Sequence, residues 1–81
     1  MNLKLEKGSV VLTLNARIYK ARSILATAEL FSQNLMVDVN ACGDRIEVRI
    51  RSKTKNAELE KIGYEFFNYV LADSQSSLFS G

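Results

Sequence analysis

Residues 35–53, LMVDVNACGDRIEVRIRSK, alternate apolar and polar side chains on both sides of a Cys42-Gly43-Asp44 break. Leu35, Val37, Val39 and Ala41 project to one side and Met36, Asp38 and Asn40 to the other; beyond the break, Ile46, Val48 and Ile50 alternate with Glu47, Arg49 and Arg51. Period-two alternation across a glycine-containing turn specifies an antiparallel hairpin with one buried and one solvated face. The turn is expected at residues 42–45, with Gly43 supplying the positive φ of a tight hairpin. Val37, Val39, Val48 and Ile50 must then share the buried side, because a slip of one residue would turn them all outward.

The flanking segments carry other periods. Residues 10–18 set Val10, Leu12, Leu14, Ala16 and Ile18 against Val11, Thr13, Asn15 and Arg17, which predicts a first strand. From about Lys20 the apolar spacing becomes three and four: Ala21, Ile24, Leu25, Ala28 and Phe31 form a helical stripe opposite Arg22, Ser23, Thr27 and Glu29, and Ser32-Gln33-Asn34 ends it. After a polar connector, Asn56 is a candidate N-cap for a second helix, with Glu58 and Glu60 near the positive end of its dipole. Leu59, Ile62, Phe66 and Val70 form its core stripe, widened by Phe67 and Leu71, and Gly63 allows close approach of the sheet or the first helix. Residues 74–81 read as a polar, flexible tail, which leaves an ordered core of about residues 8–74 in a single domain spanning 1–81.

The element order is strand, helix, strand, strand, helix. A helix between the first two strands serves as a crossover and makes them parallel, and the hairpin then adds the third antiparallel. The expected fold is therefore α+β: a two-layer β-α-β-β-α sandwich with a three-stranded mixed sheet, two helices on one face, and the outline of a ferredoxin-like half. Strand order 1-3-2 is favoured, with the meander 1-2-3 as the alternative.

Composition narrows the function. A chain of 81 residues is near the size at which one core only just offsets chain entropy, so assembly with a partner is expected. With no histidine and one cysteine, the chain lacks the commonest metal ligand and general base, and it cannot form an internal disulfide. No cofactor, no metal site and no enzymatic activity are expected. Neither a membrane span nor a secretory leader is visible, and the cytoplasm is the expected compartment.

Two surfaces remain as binding candidates. Val11 and Thr13, on the outward side of an unguarded first strand, and Tyr64, Phe67 and Tyr69, at the margin of the last helix, are candidate protein or peptide contacts, and either surface also suits a homodimer. The alternative is nucleic-acid binding through a basic hairpin face made of Arg17, Arg45, Arg49, Arg51 and Lys53, with Lys55 beyond it. That face lacks the stacked rings that sheet readers of RNA carry, so it ranks second. The net charge of +2, from 11 basic and 9 acidic residues, agrees with that ranking. Cys42 beside Asp44 is a poor nucleophile, since the carboxylate disfavours a thiolate, and Asp38 with Glu47 lacks the cleft that a catalytic acid pair needs.

One family resemblance runs through residues 10–75. Ile18-Tyr19, Ile24-Leu25-Ala26-Thr27-Ala28 with Phe31, Ile46-Glu47-Val48-Arg49-Ile50, and Glu65-Phe66-Phe67-Asn68-Tyr69-Val70-Leu71 with Asp73 resemble the small D protein of the His-Xaa-Ser radical-SAM peptide-modification system. The last helix shows that family's Phe-x-Asn-x-x-Leu pattern as Phe66, Asn68 and Leu71. The resemblance implies an accessory protein without catalytic residues that serves radical-SAM maturases and a repeat-bearing peptide. Iron-sulfur clusters would belong to those partners, because a single cysteine cannot ligate one alone.

Overall fold

The computed structural model describes residues 1–54 and 58–79, with side chains described to Ser74. In chain order the elements are β1 (Asn2–Glu6), β2 (Ser9–Asn15), α1 (Ala21–Phe31), β3 (Leu35–Cys42), β4 (Arg45–Ser52) and α2 (Leu59–Phe79). The strands form one four-stranded sheet in the order β1-β2-β4-β3, antiparallel at every adjacent pair. The α+β class holds, while the three-stranded mixed sheet is corrected to four antiparallel strands. The inner order β2-β4-β3 is the expected 1-3-2 insertion. β2 and β3 run in the same direction, but β4 separates them, so no parallel ladder forms.

The central hairpin follows the alternation of its sequence. Cys42 pairs with Arg45 across Gly43-Asp44, and Gly43 sits at φ 60°, the positive-φ first loop position at which a two-residue turn favours glycine. β4 is buried at Ile46, Val48 and Ile50, whereas Val37 and Val39 are half-buried because β3 is an outer strand.

β1 is the element that the sequence reading did not anticipate. Leu3 and Leu5 alternate with Asn2, Lys4 and Glu6, and Glu6 pairs with Ser9 around Lys7-Gly8, where Gly8 takes φ 78°. Order therefore begins well before residue 8. The strand expected over 10–18 stops at Asn15, whose side-chain Oδ1 accepts from the Arg17 amide at 2.8 Å while its carbonyl accepts from Ile18 and Tyr19, both at 3.0 Å. This local asparagine turn outcompetes the ladder and leaves Ile18 67% exposed instead of buried.

The buried side of α1 is rotated from the expected stripe. Ser23, Ile24, Thr27 and Ala28 face inward, while Ala21 is exposed and Leu25 is 55% exposed. Thr27 Oγ1 donates to the Ser23 carbonyl at 2.8 Å, which satisfies the buried hydroxyl within the helix. On α2 the expected stripe holds: Phe66 and Val70 are fully buried, and Leu59, Ile62, Phe67 and Leu71 are half-buried. Its helical backbone continues to Phe79 through the segment read as a tail, since no proline or glycine intervenes after Ser74 to stop it. Asn56 and Lys55 lie outside the described residues.

One core lies between the sheet and both helices. Val10, Leu12 and Leu14 of β2 and Ile46, Val48 and Ile50 of β4 meet Ile24 and Ala28 of α1 and Phe66 and Val70 of α2. Gly63 brings α2 onto the sheet: a Cβ there would lie 2.8 Å from Leu3 Cδ1 and 3.1 Å from Val10 Cγ2.

Phe66→Ala is expected to cost about 3 to 5 kcal/mol, a large share of the stability of so small a domain, whereas Arg51→Ala should cost less than about 1 kcal/mol. Urea midpoints that moved more for Arg51 than for Phe66 would invert the inside and outside of the sheet. Gly63→Ala sets a helix-propensity gain of about 1 kcal/mol against overpacking of about 1 to 3 kcal/mol. A net loss near 1 kcal/mol is expected, smaller in a Leu3→Ala background, where the methyl has room; equal losses in both backgrounds would mean that β1 does not seat against α2.

Candidate functional site

The side of the sheet away from the helices is built in rows by the strand register. Glu6, Ser9, Arg51 and Met36 form one row, Lys4, Val11, Arg49 and Asp38 the next, and Asn2, Thr13, Glu47 and Asn40 the third. Charges pair diagonally across these rows. Arg49 Nη1 donates to Glu6 Oε1 at 2.6 Å and more weakly to Ser9 Oγ at 3.5 Å, Arg49 Nη2 lies 3.9 Å from Glu47, and Arg51 Nη2 donates to Asp38 at 3.2 Å.

The basic face is thus internally neutralised at its centre. Arg17 sits apart, pairing with Asp44 at 3.3 Å beyond the end of β2, while Arg45 and Lys53 are exposed near opposite ends of β4. Arg49 and Arg51 lie next to each other, but with carboxylates between and around them, so the five cations do not form one open platform.

Val11 and Thr13 do not line a free edge. β2 is paired with β1 on one side and β4 on the other, and Val11 is only 8% exposed between Lys4 and Arg49. The expected dimer or peptide contact along the first strand is therefore withdrawn, because β1 already occupies that edge. Among the described residues the free edges belong to β1 and β3.

The three aromatic candidates of α2 point in different directions. Phe67 is half-buried and packs edge-to-face on Tyr19 with centroids 5.4 Å apart; Tyr69 is exposed and packs on Phe31 at 5.5 Å, and Phe31 in turn meets Phe66 at 5.1 Å. Tyr64 is exposed and joins neither contact.

Tyr69 instead borders a groove of about 310 Å³ at the corner where α1 passes into β3. Leu30, Phe31 and Leu35 give it apolar walls together with the Tyr69 ring, and Gln33, Asn34 and Glu65 supply its polar groups. Glu65 and Tyr69 are four residues apart on α2 and so share a side of that helix. This spacing pairs two of the lining residues in the sequence, but nothing in it joins them to Leu30, Phe31 and Leu35. Glu65 makes no ion pair among the described residues.

Among the described residues no group of three or more His, Cys, Asp or Glu side chains is placed to hold a metal ion, and no helix is long and apolar enough to cross a membrane. Comparison with protein-family models, curated proteins and solved structures finds no match to this chain.

The diagonal pair between β1 and β4 makes a measurable prediction. A double-mutant cycle with Arg49→Ala and Glu6→Ala should give a coupling of about 0.5 to 1 kcal/mol that falls at 1 M salt, since both side chains are partly solvated. Zero coupling at low salt would show that the pair does not hold β1 to the rest of the sheet.

Proposed function

We propose that this chain is a small accessory module that binds an extended peptide or protein segment by strand addition along β3. The observation that carries the proposal is the edge itself: eight residues in unbroken register with β4, no strand on the other side among the described residues, no proline, and Asp38 as the only charged side chain. Natural edges of this length normally carry a proline, a bulge or several charges to discourage pairing. β1 is shorter and bears Lys4 and Glu6, so it is the better guarded of the two. An added strand gains affinity from backbone hydrogen bonds and selectivity from the side chains that enter neighbouring pockets. Val37 and Val39, only half-covered, offer apolar surface for it.

The resemblance to the small D protein suggests the setting: a cytoplasmic accessory to radical-SAM maturases, with their repeat-bearing peptide as the added strand. Nucleic-acid binding has less support, since Arg49 and Arg51 are occupied by Glu6, Glu47 and Asp38. A second copy of the chain is a competing occupant of the same edge.

The test uses the isotope-labelled chain and peptides selected against it from a random library. Peptide titration is expected to shift the β3 amides, and the double substitution Met36→Lys with Asn40→Lys, both at exposed positions, should weaken binding about tenfold by guarding the edge. Shifts confined to the outer rows of β2 and β4 would overturn strand addition. Labelled RNA that bound tightly with a steep salt slope would move the assignment to the basic face.

A further inference from the structure

The groove meets β3 at its first residue, Leu35, and among the described residues holds one carboxylate, that of Glu65. Leu35 is both the first residue of β3 and part of the groove wall, so a side chain opposite it on the helix-covered side of the sheet would stand at the groove mouth. We propose that this groove receives a lysine or arginine side chain from the segment added to β3, an inference that rests on the strand-addition reading.

Three features select a long cation over other side chains. The apolar walls of Leu30, Phe31 and Leu35 suit the methylene stem, which lysine and arginine lay along apolar surface while keeping the charged head in water. The Tyr69 ring borders the groove, where a cation can approach an aromatic side chain, and Glu65, in no ion pair among the described residues, offers a carboxylate for a charge-assisted hydrogen bond. The carboxamide oxygens of Gln33 and Asn34 supply further acceptors. Among the described residues no basic side chain lines the groove to compensate Glu65, so an acidic guest meets repulsion and an apolar one leaves the carboxylate unused. A volume of about 310 Å³ accommodates one such side chain.

The probes are synthetic peptides of alternating threonine and valine with one central test position, occupied by lysine, arginine, norleucine or glutamate, titrated into the full chain. Lysine and arginine peptides are expected to bind about tenfold tighter than the norleucine peptide, with the glutamate peptide weakest, and the preference should shrink at high salt. Glu65→Gln should reduce the cation preference to less than about threefold and leave norleucine affinity unchanged, because only the charge has been removed. Tyr69→Leu, a second variant at an exposed position, should also lower the cation preference. Equal binding of all four peptides, or a lysine preference that survives Glu65→Gln, would overturn the groove assignment and leave strand addition standing. If none of the peptides bound, both would fall.

Discussion

The fold depends on the register between β2 and β4. Val10 opposite Ile50, Leu12 opposite Val48 and Leu14 opposite Ile46 put six apolar side chains in three adjacent pairs on one side of the sheet, and these form the floor on which both helices rest. A slip of one residue would bring Glu47, Arg49 and Arg51 under Phe66, at a cost that no rearrangement of the helices could recover. At the far end of the ladder the Ala16 amide donates to the Asp44 carbonyl at 2.7 Å, so the turn of one hairpin anchors the chain leaving the other strand.

The same register explains the unusual dryness of part of the solvent side. Val11 faces away from the helices, with no layer above it, but its neighbours in the row are Lys4 and Arg49. Long charged side chains cover apolar surface with their stems, and the Arg49 head is fixed in place by Glu6 and Ser9. Charge pairing on this face therefore also supplies packing. Arg49 and Arg51, the two central cations of the basic hairpin, are thereby paired with Glu6, Glu47 and Asp38.

The hairpin from Leu35 to Ser52 was legible because eight-residue strands sustain a period of two long enough to exceed chance, and Gly43 marks their turn. α2 was legible for the same reason at a period of 3.6. β1 was not, although Leu3 and Leu5 alternate correctly, because two apolar positions among charges look the same as a solvated leader. α1 was located but turned about its axis: Ser23 and Thr27 count as polar in any pattern, yet a helix can absorb a buried hydroxyl through the preceding turn. The groove was missed because its walls come from three separate elements, and no linear pattern brings Leu30, Leu35 and Glu65 together.

Placing β1 outside β2 makes that single short strand a cover over the edge of β2. β1 is five residues long, meets only β2 within the sheet, and is held to the rest by the Glu6 contact and by Leu3 against Gly63. Edge elements with so few attachments open at a fraction of the global unfolding free energy. When β1 lifts away, the run from Ser9 to Leu12, buried at all four positions, becomes an uncovered strand edge with β-branched residues and no charge. An uncharged strand edge is open to edge-to-edge pairing, so β1 guards the sheet by covering it.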